Sequence, residues 1–245
     1  MIPLRDTLIL SRLPVVNRTL VVMEIVVFTI QAVAGEAAEA WVKIFGFVPA
    51  RFFNPAAFGF NHWETGVTLM TSLFMHGGFV HLIGNLIYLW IFGDDVEERM
   101  GRVPYLLFFL ACGAAGSLTH AFLFPTSTVP SIGASGSIAG ILGAFLVFHP
   151  RARIMTLIPL VVSYTLTEVP ALVFLPIWFG MQFLNGWFAI VSARGVQEVA
   201  GVAWWAHVGG FVFGAGLGAI LKLIDLRKKR RLPDAGDNRA LADER

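Results

Sequence analysis

Apolar residues along this chain form long runs that are separated by short polar or charged segments. An α-helix of about 20 apolar residues is long enough to cross a bilayer. The runs predict helices over about residues 19–34, 78–92, 104–124, 135–149, 170–191 and 202–223. The pattern therefore predicts an all-α fold, a polytopic membrane helix bundle with six transmembrane helices.

The segments outside these runs divide the chain into three parts. Residues 1–18 are predicted to be a cytoplasmic N-terminal segment, residues 19–225 the membrane domain, and residues 226–245 a basic, disordered cytoplasmic tail. Residues 35–66 are rich in aromatic side chains and broken by prolines and glycines, so we expect them to lie partly in the membrane interface. Residues 154–169 have no clear assignment beyond a partly apolar connection.

Composition supports a membrane protein and gives it an orientation. The chain is 56% hydrophobic and 14% charged, whereas soluble domains are about 25% charged. The basic residues lie in short clusters beside the helices, which argues against a nucleic-acid partner. Most of these clusters fall on one side, so the positive-inside rule predicts that both termini are cytoplasmic. We expect the membrane to be a bacterial-type inner membrane. Residues 35–66, 125–134 and 192–201 would face outside.

A serine among glycines is the first candidate for chemistry. Ser135 lies between Gly133 and Gly136, where a flexible backbone lets other groups approach its hydroxyl. The soluble G-x-S-x-G elbow does not fit, because position 137 is serine and no strand pattern precedes the stretch. Ser135 begins a helix of only about 21 Å, so it should lie below the outer surface at the end of a sunken loop. The alternative is a packing serine at a helix contact.

Two stripes of small residues predict which helices meet at Ser135. His207 lies one turn before a glycine stripe on the sixth helix, and the fourth helix carries a matching stripe. The two stripes comprise Gly210, Gly214 and Gly218 on one helix and Gly136, Gly140 and Ala144 on the other. Small residues let membrane helices pack closely. This contact would bring His207 beside Ser135, where an imidazole could activate the hydroxyl.

His81 and Asn85 lie four residues apart, on one face of the second helix. Their side chains could donate hydrogen bonds to a developing oxyanion. Alternatively, they could only join helices through hydrogen bonds. Because they share the predicted depth of Ser135 and His207, we interpret all four as one site.

Other intramembrane protease mechanisms lack their residues. The chain has no H-E-x-x-H zinc motif, no lysine near the site, and no pair of separate membrane aspartates. The pattern therefore indicates a Ser–His dyad without a carboxylate, and it calls for no cofactor and no metal ion.

Together these residues resemble the rhomboid family of intramembrane serine proteases. The resemblance rests on four stretches: Gly133-Ala134-Ser135-Gly136; His76, His81 and Asn85; Val96-Glu97-Glu98-Arg99; and Ala206-His207-Val208-Gly209-Gly210 with Gly214. It implies Ser135 as nucleophile and His207 as general base. It further implies an oxyanion hole formed by the Ser135 N–H, His81 and Asn85.

The resemblance also implies a structural role for Glu97 and Arg99, as a pair at the cytoplasmic end of the second helix. It implies substrates that are transmembrane proteins, cut near the outer end of a span. Two features differ from some members: position 139 is alanine where they have a tyrosine against the catalytic histidine, and the first outer loop lacks a Trp-Arg pair.

Two readings without proteolysis stay open at this point. One is a catalytically inactive rhomboid-like binding protein. The other is a small transporter lined by His62, His76, His81 and His207, because intramembrane histidines are candidates for ion pathways.

Overall fold

The computed structural model describes residues 1–159, 163–192 and 202–231. Most of the predicted outer loop 192–201 and the tail from residue 232 onward lie outside these ranges. The described chain is mainly helical and contains six longer helices: α1 (Val15–Ala34), α5 (Phe79–Met100), α6 (Arg102–Leu123), α7 (Ser135–Phe148), α8 (Ala171–Ser192) and α9 (Trp204–Arg231). The predicted helical membrane bundle is confirmed.

Helix α7 occupies the centre of this bundle. Each of the other five long helices is long and apolar enough to cross a membrane, whereas α7 has 14 residues. Residues 136–145 of α7 are buried on every side. A helix of this length rises about 21 Å, less than the roughly 30 Å hydrocarbon core. Its first residue can therefore lie below the bilayer surface only if the surrounding protein shields the preceding loop.

Glycines set the distance between α7 and α9. A Cβ added to Gly210 or Gly214 would overlap the carbonyl oxygen of Gly136 or Gly140, respectively. One turn further, a Cβ at Gly218 would lie 3.2 Å from the Cα of Ala144. The two predicted stripes therefore face each other in register, and the two backbones touch directly.

The segment between α1 and α5 folds into short helices. These are α2 (Ala37–Phe45), α3 (Pro49–Phe53) and α4 (His62–Thr71), with 3-10 turns at Pro55–Phe58 and Ser72–Phe74. A pair of backbone hydrogen bonds, 3.1 and 2.7 Å long, joins Phe47 to Ser131 in the loop before α7. The segment thereby braces the loop that leads to Ser135.

A small antiparallel sheet lies at one end of the bundle, which the all-helical sequence pattern does not predict. Its strands are β1 (Ile2–Asp6), β2 (Arg153–Pro159) and β3 (Tyr164–Pro170), in the order β1-β2-β3. Ile154 and Thr156 are fully buried on one face of β2. The N-terminal segment and the 154–169 connection are therefore ordered by pairing with each other, as β-branched alternation favours.

Two helices run further than their apolar patterns. The prediction ended the second helix near residue 92, but α5 continues through its charged residues to Met100. Likewise α9 continues to Arg231, beyond the predicted helix end near residue 223. Polar residues at the end of α5 are no barrier to this helix, because Glu97 and Arg99 have partners in α1 and α9.

Glu97 and Arg99 are not partners of each other. The buried Glu97 carboxylate accepts hydrogen bonds from the N–H groups of Val16 (3.1 Å) and Asn17 (2.6 Å), at the start of α1. Arg99 instead forms a 2.6 Å ion pair with Asp225 of α9. Residues two apart on a helix point in different directions, so the two side chains serve separate contacts.

Candidate active site

Ser135 and His207 meet at the starts of two packed helices. Ser135 is the first residue of α7, and His207 lies in the first turn of α9. His207 Nε2 is 2.7 Å from Ser135 Oγ, across 72 positions of sequence. The glycine contact between α7 and α9 begins one turn below this pair and allows the short approach. In this geometry the imidazole can accept the hydroxyl proton directly.

Three side chains surround the imidazole of His207. Gln182 of α8 is buried, and its Oε1 atom is 2.8 Å from His207 Nδ1. The Trp178 ring is tilted at 33° to the imidazole, with the ring centres 6.2 Å apart, and Trp204 meets it edge-on at 6.0 Å. Aromatic support therefore comes from α8 and α9, while Ala139 is fully buried in α7.

These three residues around His207 were not among the site residues predicted from the sequence. Gln182 had one available signal, since an amide within an apolar run is a candidate for a functional contact. The tryptophans had none, because aromatic residues are common throughout this chain.

The start of α7 offers backbone donors at the nucleophile. The first N–H groups of an α-helix have no intrahelical partner, and they carry the positive end of the helix dipole. Gly133 makes the turn into this helix with φ at +114°, where side chains are rarely tolerated, and its N–H donates to Ser72 (2.9 Å). The Ser135 N–H is therefore placed where it can meet an anionic oxygen.

His81 and Asn85 lie against this turn. A Cβ built on Gly133 would be 2.6 Å from His81 Nε2 and 3.5 Å from Asn85 Nδ2. The N–H of Gly77 donates to His81 Nδ1 (3.3 Å), which leaves the hydrogen on Nε2 and aims it at the Gly133 side. Both residues therefore have a hydrogen-bond donor beside Gly133, two residues before Ser135. Glycine is required at this position because a side chain would fill the space in front of these donors.

A buried polar network lies behind Asn85. Asn85 Nδ2 donates to His76 Nε2 (2.9 Å), and the same ring nitrogen is 3.7 Å from a carboxylate oxygen of Glu24 in α1. The Gln31 side chain bonds both the N–H (3.1 Å) and the carbonyl (3.3 Å) of His76. These contacts connect α1 to the site.

A cavity of about 720 Å³ is lined by the 35–60 segment and by the loops that precede α5 and α7. Its wall includes His76 and Gly77, which precede His81, and Pro130 and Ile132, which precede Ser135. Space therefore exists beside both segments that carry the candidate residues. His62, in contrast, is exposed at the first residue of α4, whereas His76 is buried.

Comparison with known proteins identifies the family. A sequence model described as Rhomboid domain matches residues 63–223, well over half of the chain. The chain is 33% identical over 150 residues to Rhomboid protease GluP of Bacillus subtilis (strain 168), which covers 61% of this chain and 26% of that protein. It is 26% identical over 181 residues to Rhomboid protein 1, mitochondrial, of Saccharomyces cerevisiae, covering 69% of this chain and 46% of that protein.

The relatives also include a protein named as inactive. Inactive rhomboid protein 1 of Drosophila melanogaster is 37% identical over 78 residues, which is 32% of this chain and 5% of that protein. The chain spans less than half the length of each of these three relatives. The matched range contains Ser135, His207, His81 and Asn85. On the strength of this match the chain belongs to the rhomboid family.

Proposed function

We propose that this chain is an intramembrane serine endopeptidase, which hydrolyses peptide bonds in or near transmembrane segments of membrane proteins. The observation that carries the proposal is the 2.7 Å contact between Ser135 Oγ and His207 Nε2 at the starts of two closely packed helices. Family membership and the match to a protein named as a protease support the same chemistry.

Ser135 Oγ attacks the carbonyl carbon of the scissile bond while His207 Nε2 takes the hydroxyl proton. The carbonyl oxygen becomes an oxyanion that accepts hydrogen bonds from the Ser135 N–H, His81 Nε2 and Asn85 Nδ2. The imidazolium then protonates the leaving amine, and an acyl-enzyme remains on Ser135. Water, activated by the same imidazole, attacks the ester and restores the free hydroxyl.

The position of the site restricts the substrate. A helical peptide bond has its amide hydrogen-bonded and shielded by side chains, so a transmembrane substrate must unwind locally before Ser135 can reach it. Partners are therefore transmembrane proteins within the lipid bilayer, cut near the end of a span where small or helix-breaking residues loosen the helix.

The N-terminal part of the chain and the late turns of α9 lie at the same end of the bundle. The ion pair of Arg99 with Asp225 and the hydrogen bonds of Glu97 with the start of α1 hold them there. We assign this end to the cytoplasm of a bacterial-type cell, following the basic clusters.

The alternative of an inactive rhomboid-like protein is favoured only by the match to Inactive rhomboid protein 1. An inactive protein has no chemical use for a serine hydroxyl held on an imidazole nitrogen. The transporter alternative requires a connected histidine path, whereas His62 is exposed at the start of α4.

Labelling by a serine-directed fluorophosphonate tests the proposal. The wild-type protein should be labelled and should cleave a model transmembrane substrate, and Ser135→Ala should lose both activities while keeping its melting temperature. Ser137→Ala is the matched control, because Ser137 is fully buried in the same helix and lies two residues away. Labelling that persists in Ser135→Ala, or a wild-type protein that is never labelled, would exclude the proposed nucleophile.

A further inference from the structure

Both ring nitrogens of His207 have a partner, and only one of these partners was expected. Nε2 faces Ser135 Oγ at 2.7 Å, and Nδ1 faces the side-chain oxygen of Gln182 at 2.8 Å. An amide oxygen can only accept a hydrogen bond. Nδ1 must therefore carry the ring hydrogen of the neutral imidazole, and Nε2 is left with the free lone pair that a general base needs.

We infer that Gln182 is a positioning residue for the proposed reaction. It is the third member of a hydrogen-bonded chain Ser135–His207–Gln182, in which an amide takes the position that a carboxylate occupies in other serine hydrolases. The inference rests on the proposed function of the same site. Gln182 fixes the tautomer and the ring orientation of His207. It also stabilises the imidazolium that forms when His207 takes the proton from Ser135, because the negative end of the amide dipole faces Nδ1–H.

Other groups near His207 do not offer this contact. Among the residues that the structure describes, no carboxylate forms an ion pair with His207. The titratable side chains that face it are His81 of α5 and His120 of α6, and neither brings a negative charge. Trp178 and Trp204 limit the movement of the ring but bond neither nitrogen. Orientation by hydrogen bonding therefore falls to Gln182.

The helix that carries Gln182 is held in register with α9. One turn after Gln182, the carbonyl of Gly186 accepts a hydrogen bond from Trp205 Nε1 (3.0 Å). A Cβ at Gly186 would lie 3.0 Å from the same indole nitrogen, so this face of α8 packs closely on the start of α9. The amide of Gln182 is buried, and the helix that carries it packs closely on α9, as a residue that must hold a tautomer requires.

Three variants separate positioning from packing. Gln182→Met keeps the length of the side chain and removes the acceptor. Gln182→Glu keeps the acceptor and adds a charge. Asn185→Met changes an exposed amide three residues further along α8 and serves as the control.

Gln182→Met should slow fluorophosphonate labelling and kcat by about 10-fold to 10²-fold, since proton transfer by a misoriented base is less efficient. KM and melting temperature should stay close to wild type. Gln182→Glu should retain most of the activity and move the rising limb of the pH–rate profile to higher pH, because a carboxylate favours the protonated imidazole. Asn185→Met should match the wild type in all of these measurements.

Nitrogen-15 NMR of histidine-labelled protein reports the tautomer without any need for activity. The His207 signals, assigned by their loss in His207→Ala, should show Nδ1–H in the wild type and a different tautomer balance in Gln182→Met. Unchanged tautomer, rate and pH profile in the Gln182 variants would overturn the inference. So would a rate that falls only in step with the melting temperature. If the inference fails in this way but the wild type is labelled at Ser135, the proposed function still stands. If the wild type is not labelled, the proposed function fails, and the NMR comparison still tests the Gln182 contact independently.

Discussion

Gly210→Val should disable the proposed site through geometry alone. The added Cβ would overlap the carbonyl oxygen of Gly136 and lie 2.9 Å from its carbonyl carbon. Ordinary carbon contacts begin at about 3.5 Å. To restore ordinary contact distances, α7 and α9 would have to move apart by about 1 Å, because the carbonyl oxygen of Gly136 is even closer to the added Cβ than the carbonyl carbon.

This separation acts directly on the dyad. Gly210 is three residues from His207, and Gly136 is adjacent to Ser135, so both halves of the 2.7 Å contact move with the helices. An increase of about 1 Å takes the distance beyond the range of a hydrogen bond. A displacement of that size costs on the order of 10²-fold in rate. The overpacked contact should also lower the free energy of unfolding by about 1–3 kcal/mol.

The assay combines cleavage of a model transmembrane substrate with thermal unfolding in the same detergent. Gly216→Val is the matched control: it makes the same change on the same helix, at an exposed position where an added Cβ meets no atom within 4 Å. It should leave both measurements near wild type. If Gly210→Val also keeps both, α7 and α9 do not depend on this stripe, and the structural basis for joining Ser135 to His207 is lost.

Two further predictions concern the oxyanion donors and the far end of the bundle. Asn85→Ala removes one oxyanion donor and should lower kcat on the order of 10²–10³-fold, or less where His81 compensates, while KM changes little. A raised KM at constant kcat would instead assign Asn85 to substrate binding. Glu97→Ala should lower the free energy of unfolding, measured by denaturation in detergent, by about 2–3 kcal/mol, because the buried carboxylate accepts two backbone N–H groups of α1. The control Glu98→Ala removes a carboxylate that bonds the exposed Ser11 and should change stability much less, so equal effects would contradict the capping role of Glu97.

The sequence alone was sufficient for the membrane class and for the contact that organises the bundle. Long apolar runs report burial in lipid wherever they occur, because the hydrophobic requirement is local to each helix. The stripes headed by Gly136 and Gly210 also report a local property, a smooth face that repeats every four residues. Two such faces of equal length, on helices whose first turns carry Ser135 and His207, allow one close packing, and the structure contains it.

Partners that come from distant parts of the chain needed the tertiary structure. The β1–β2 pairing joins residues about 150 positions apart, and neither strand has a pattern strong enough to predict the other. The Glu97 carboxylate caps α1 instead of pairing with Arg99, which depends on where α1 begins relative to the last turns of α5. Helix periodicity shows which side chains share a face, and two small-residue faces can indicate which two helices pack closely, but the pattern does not show which third helix contacts the same site. Ser135 and His207 could therefore be predicted as neighbours from the stripes of their own two helices. The contact of Gln182 with His207 Nδ1 is made by a third helix, so it could be seen only in the folded chain.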